Sequence, residues 1–149
     1  MKNLCGECNV CCLVCRIDKS EFRWRDTDKK AGEMCDKLVN GRCVKYKVRP
    51  KACKNFECLW LQISKSSKSE LASVSWRPDN LGIMVKTTTW NDKFLFRVEE
   101  TEKGKIDFNN TNFLSFVDTM FKIAHQQQVN TSLVLFYFGE ENGHELKQN

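Results

Sequence analysis

CGECNVCC, residues 5–12, sets four thiols within eight positions, and the reading of the whole chain turns on it. Cys5, Cys8 and Cys11 stand two residues apart, Cys12 follows directly, and Cys15 is close behind. A second cluster, Cys35, Cys43, Cys53 and Cys58, completes the nine cysteines, and none occurs in the 91 residues that follow. Cys-x-x-Cys places two sulfurs on one side of a tight turn, at a separation that a single metal can bridge. The odd count and the adjacent Cys11–Cys12 pair suit a closed disulfide framework poorly. Clustering at this interval also argues against nine thiols buried merely as small hydrophobes. With Cys15 the run spells C-x2-C-x2-C-x3-C, as in bacterial ferredoxins, but Arg16 stands where that run has proline and the run is not repeated. A zinc ribbon would need two separated C-x2-C knuckles, and the second cluster, spaced x7, x9 and x4, has none.

Outward from the cysteines, charge divides the chain. Residues 1–60 carry 14 Lys/Arg against 8 Asp/Glu, net +6, and residues 61–149 carry 10 against 11, net −1, giving the formal +5 of the 149-residue chain. Four thiolates on zinc leave about −2, which nearby Lys and Arg would offset. The alternative use of the basic charge is a nucleic-acid partner. The internal account is favoured; a protein partner is left open. No apolar run approaches a membrane span or a secretory leader, so no membrane association and a cytoplasmic location, where thiols stay reduced, are expected.

After a Ser/Lys-rich stretch over 62–75, expected to be a loop or short helix, the hydrophobic period changes. Leu81, Ile83 and Val85 alternate, as do Phe94, Phe96 and Val98, predicting strands near 81–89 and 93–100 joined by a turn at Trp90–Asn91–Asp92. Residues 105–108 suggest a short extension. Asn110 or Thr111 can cap a helix running to about Gln127, with Phe113, Phe116, Val117, Met120, Phe121 and Ala124 as one apolar stripe. Ser132–Phe138 reads as a strand buried on both faces, and the polar stretch from Gly139 as a fraying end. The expectation is an α+β chain: residues 1–61 form a metal-stapled cysteine-rich module with little regular structure, and residues 62–149 a small β-β-α-β unit packed against it in one compact domain.

The run Cys5-x-x-Cys8-x-x-Cys11-Cys12 is followed by Cys35 with Leu38, Gly41 with Cys43, Tyr46, Arg49–Pro50 with Cys53, and Phe56 with Cys58. Trp76–Arg77–Pro78–Asp79 and Leu81–Gly82–Ile83 come next. These motifs resemble the CxxCxxCC (YkgJ-type) cysteine cluster family, described as zinc- or iron-chelating domains, over about residues 5–85. The resemblance implies Cys5, Cys8, Cys11, Cys12, Cys35, Cys43, Cys53 and Cys58 as metal ligands and leaves Cys15 outside the set. Eight sulfurs suffice for two four-sulfur sites or for one centre with thiols around it, and adjacent Cys11 and Cys12 are expected to serve different sites.

Around those ligands, Pro50 is expected to start the turn that presents Cys53, with the Arg49 guanidinium donating to sulfur or a carbonyl. Gly41 would permit the turn before Cys43. Tyr46, Phe56 and Trp60 are expected to shield the cluster, while Asp79 reads as a turn aspartate and His125 and His144 as surface residues. No G-x-S-x-G, phosphate loop or His–carboxylate triad occurs, so no catalytic template is present and enzyme status is left open. The leading expectation is a metal-binding cysteine cluster protein holding Zn2+ or an iron–sulfur centre, the metal mainly structural. One alternative is an iron–sulfur electron-transfer or accessory subunit of an oxidoreductase or methyltransferase. Another is a nucleic-acid or protein adaptor that uses the basic N-terminal module.

Overall fold

The computed structural model describes residues 5, 7–90, 92–126, 132–140 and 142–146. Its frame is a four-stranded sheet of β3 (Ile83–Trp90), β4 (Lys93–Glu100), β5 (Ser132–Phe136) and β6 (His144–Leu146), in that spatial order. Strands β3 and β4 form an antiparallel hairpin from Ile83↔Glu100 to Trp90↔Lys93. Of the expected turn, Asp92 has the left-handed φ of 60°, and Asn91 lies outside the described residues. Helix α5 (Thr111–Gln126) carries the chain back so that β5 runs parallel to β4, with Phe96↔Leu133 and Val98↔Leu135 in register. Asn110 is its cap: the side-chain oxygen accepts from the backbone N–H of Asn112 at 2.9 Å and of Phe113 at 3.3 Å. Gln127, the expected end, lies outside the described residues.

Alternation along each strand gives the sheet two different faces. Ile83, Val85, Phe96, Val98, Leu133 and Leu135 point to α5, where Phe113, Phe116, Met120 and Ala124 complete the core. Met84 points the other way, onto Val10 and Val14 of α1 (Val10–Val14). Between α1 and β3 come the two-residue hairpin strands β1 (Leu38–Val39) and β2 (Arg42–Cys43), then α2 (Lys51–Asn55), α3 (Leu59–Lys65) and α4 (Pro78–Leu81). The cysteine-bearing segment therefore meets the sheet on the side opposite α5. Leu59 and Ile63 of α3 pack against the α5-side core, so the expected division after Leu61 falls inside a helix.

The mixed α+β class holds, with three local differences from expectation. Residues 105–108 form no strand. Strand β5 alternates buried and half-buried residues instead of burying both faces, because Val134 and Phe136 lie on the sheet's polar side, with the Arg97 guanidinium carbon 3.8 Å from the Phe136 ring centre. The stretch after Gly139 supplies β6, paired Leu133↔Leu146 and Leu135↔His144, which satisfies a backbone edge of β5 that water would otherwise have to satisfy.

Candidate metal centre

Helix α1 exists to turn a short segment around its own cysteines. Only five residues long, it buries Val10 and Val14 one turn apart and holds Cys11 and Cys12 between them. Its last carbonyls have unusual partners. Lys29, with no solvent exposure at all, donates from Nζ to the carbonyl oxygens of Leu13 at 3.1 Å and Cys15 at 2.7 Å, and to that of Lys30 at 3.3 Å. Placing an ammonium at a helix C-terminus offsets the partial negative charge there. The backbone of residues 29–35 then follows α1: Ile17 and Lys29 exchange both backbone hydrogen bonds, Gly32 N–H donates to Leu13 O at 3.0 Å, and Cys35 N–H donates to Cys12 O at 3.1 Å. Gly32 has φ 81°, and a Cβ there would press on the Phe138 ring at 3.2 Å, so glycine is required twice over.

Cys12, Cys35, Cys43 and Cys53 form one neighbourhood. Cys35 is tied to Cys12 through the backbone, and β1–β2 sets Cys43 opposite Leu38, whose N–H donates to Cys35 O at 3.1 Å. Asn40 and Gly41 make that hairpin turn with φ 50° and 73°, as the glycine predicts. Pro50 is the buried residue at the start of α2, which carries Cys53. Burial pushes the Cys53 thiol up to about 11, and the charges of Cys12, Cys35 and Cys43 push it the same way. Cys35 is raised first by burial, with Cys12 and Cys43 adding to it.

Cys5, Cys8, Cys11 and Cys58 form the other. Cys8 N–H donates to Cys5 O at 2.9 Å, and Cys8 and Cys58 share the apolar cluster with Phe56, Val10 and Met84. Burial raises Cys58 to about 11, with repulsion from Cys5 and Cys8 behind it. Burial also raises Cys8, although backbone N–H groups partly offset it. Cys11 and Cys12 link the two neighbourhoods. Their thiols hydrogen-bond, which drives Cys11 up and Cys12 down to about 7, and Cys11 also feels Cys15 and then Cys8. Cys12 in turn acts on Cys35 and Cys53. Cys15 packs in the Met84 cluster, its thiol raised to about 11 by burial, with Lys86 and Glu99 of the sheet, Lys29 and Cys53 also acting on it.

The donors are gathered but not closed. Among the described residues, no group of three His, Cys, Asp or Glu side chains is tight enough to hold a metal ion. The cations acting most on the thiols are Lys29, Arg49, Lys65, Arg77 and Lys86. Of these, Arg49 and Arg77 belong to the motifs quoted from sequence, and Arg49 departs from expectation. Its guanidinium lies over the Tyr46 ring, 4.0 Å from the centre, so Tyr46 is 56% exposed and shields nothing. Phe56 does pack beside Cys8 and Cys58, whereas Trp60 donates from Nε1 to Ser73 O at 2.8 Å. Asp79 does more than shape a turn: its carboxylate takes Arg77 Nε at 2.6 Å and Nη2 at 2.8 Å and also meets the Cys8 thiol. His125 and His144 are exposed.

Away from the thiols, a cleft of ≈ 440 Å3 opens where the Lys30–Gly32 turn faces β4 and the end of β5. Arg97, Glu99 and Phe136 line it, and Glu99 Oε2 is buried with only Lys86 Nζ near, at 3.4 Å. Among the described residues no helix is long and apolar enough to cross a membrane. No family model, curated protein or solved structure matches the chain.

Proposed function

We propose that the chain is a metal-binding cysteine cluster protein, its thiolates holding zinc or an iron–sulfur centre that mainly stabilises the structure of residues 5–61. The observation that carries this reading is the gathering of cysteines from separated stretches: Cys35 N–H donates to Cys12 O, the β1–β2 hairpin sets Cys43 beside them, Cys8 N–H donates to Cys5 O, and Cys8 and Cys58 share one apolar cluster. A purely sulfur donor set suits zinc or iron–sulfur chemistry and excludes hard cations such as magnesium and calcium. The resemblance of the cysteine spacing to the CxxCxxCC family points the same way. When bound, the metal supplies folding free energy, roughly 10–16 kcal/mol for structural zinc in small domains. The chain's own residues set out the donors: Lys29 holds α1, Pro50 starts α2, and Asn40–Gly41 turns Cys43 inward.

Thiols raised by burial are protonated at neutral pH, so loading must expel their protons and affinity must rise with pH. The deciding experiment is metal and sulfide analysis of protein purified without oxygen, as wild type, Cys53→Ser and Cys58→Ser. Each change is expected to remove the metal of one group and spare the other. A chain that carries neither metal nor sulfide when purified without oxygen overturns the proposal.

A further inference from the structure

The basic charge of the front half is more than the thiols use. Residues 37–56 contain seven Lys/Arg and no Asp or Glu. Arg42, Lys45, Lys47, Lys51 and Lys54 are exposed, and none has an ion pair among the described residues; Lys37 alone meets Asp36, at 3.4 Å. None of those five is among the cations that act most on the thiols. Three acids of the front half pair outside the segment: Asp28 with Arg16, Glu33 with Arg25 and Glu57 with Lys65. Glu21 reaches this segment only to accept from the Ala52 backbone N–H, at 3.4 Å.

The same segment turns apolar and aromatic groups outward. Val44, Tyr46 and Val48 are 58%, 56% and 56% exposed. Hydrogen bonds within the segment, Val44 N–H to Lys37 O and Val48 N–H to Lys45 O, both 2.9 Å, hold this surface in shape. The Arg49 guanidinium carbon lies over the Tyr46 ring, 4.0 Å from its centre. A run of exposed cations close in sequence, with an aromatic group among them, matches a chain of phosphates carrying unstacked bases. A duplex would satisfy the charges but would leave Tyr46 idle, because its bases are already stacked.

We propose that the exposed surface of residues 37–54 binds single-stranded nucleic acid, with Arg42, Lys45, Lys47, Lys51 and Lys54 on phosphates and the Tyr46–Arg49 stack against a base. The surface shares its segment with Cys43 and Cys53, but none of the proposed contact side chains is itself a thiol, so Lys45, Tyr46 and Lys47 can be changed without removing a proposed ligand.

The test is fluorescence anisotropy of the full chain with a labelled single-stranded oligonucleotide of mixed sequence, against its duplex and a polyglutamate of equal charge. Five phosphate contacts predict a loss of affinity of roughly a hundredfold between about 50 and about 200 mM salt. Lys45→Glu with Lys47→Glu should weaken binding at least tenfold and flatten the salt dependence. Tyr46→Ala should weaken single-strand binding by roughly tenfold and leave the salt dependence as it was. Lys93→Glu with Lys103→Glu, the same charge change at exposed positions of the back half, should cost little and shows that net charge alone is not responsible. Equal binding of polyglutamate or duplex, an effect of the control pair as large as that of Lys45 and Lys47, or indifference to Tyr46→Ala overturns the assignment.

Discussion

Lys29 Nζ donates to the carbonyl oxygen of Cys15 at 2.7 Å, from a side chain with no solvent exposure, and so pins the end of α1 from a residue fourteen positions away. Burial lowers the ammonium's pKa, while the charges of Cys15, Cys35, Glu33 and Cys12 hold it up. A buried cation is tolerated only where partners surround it, and here these are carbonyls and thiols. Lys29→Met removes the donor from Leu13, Cys15 and Lys30 at once. It should destabilise the fold by roughly 2–4 kcal/mol, read from denaturant unfolding of the chelator-treated protein. A loss below about 0.5 kcal/mol, the size of an ordinary surface substitution, would show that the carbonyls find water instead.

The thiols impose a pH dependence of definite sign. Cys15, Cys53 and Cys58 ionise near 11 in the fold, against 9.0 for an unperturbed thiol. A raised folded pKa means the fold holds protons that the unfolded chain has released. The associated stability is fully present below pH 9.0 and is lost as pH rises toward 11. Lys29, lowered by burial, and Cys12, lowered to about 7, work in the opposite sense, while Cys5, Cys8, Cys11 and Cys35 are raised as the three are. Metal-free protein should therefore lose roughly 2 kcal/mol between about pH 8 and about pH 10, after discounting for the partial exposure of the thiols. Unfolding midpoints that stay flat over that range would mean the thiols are solvated. With metal bound the dependence should vanish, since coordinated thiolates carry no proton to lose.

What the sequence discloses and what it hides follow from distance along the chain. The β3–β4 hairpin is legible because Ile83, Val85, Phe96 and Val98 alternate locally, and α5 because Phe113, Phe116 and Met120 repeat at helical spacing with Asn110 ahead of them. Gly41 marks its turn for the same reason, a local backbone demand. Lys29 could not be found this way: one lysine among many, its burial is decided by α1 folding over it. The polar residues of β6 disclose no strand, because its pairing depends on β5's free edge and not on its own pattern. The two groupings of cysteines were hidden too, since they depend on Cys58 returning to Cys5 and Cys8 and on Cys35 hydrogen-bonding to Cys12.

Glu100 is the polar counterpart of that long-range closure. It is 3% exposed, and its two oxygens accept separately, Oε2 from Ile106 N–H and Oε1 from Phe138 N–H, each at 3.1 Å. One carboxylate thus ties the loop after β4 to the loop after β5, on either side of α5. Glu100→Ala removes a buried carboxylate from two part-buried N–H groups and should cost roughly 1–3 kcal/mol. Glu100→Gln keeps one acceptor oxygen and should cost about half as much. Amide hydrogen exchange at Ile106 and Phe138 reports the break directly, and unchanged protection in the alanine variant would show that neither bond contributes.

Asp79 offers a way to tune one thiol without touching a cysteine. Its carboxylate, depressed chiefly by the Arg77 guanidinium, sits against Cys8. Burial is the main cause that raises Cys8, and the Asp79 charge adds to it. Asp79→Asn removes the negative charge and leaves Arg77, 2.6 Å away in the native pair, as an uncompensated cation beside the thiol. Both changes favour thiolate, so the pKa of Cys8 should fall and its alkylation by iodoacetamide near neutral pH should speed up several-fold. The measurement is residue-resolved mass spectrometry on metal-free protein, with Cys53 as the internal reference. Because Cys53 takes its repulsion from Cys12, Cys35 and Cys43 and not from Asp79, its rate should stay the same. If Cys53 accelerated equally, Asp79→Asn would have loosened the whole segment, and the specific link between Asp79 and Cys8 would fail.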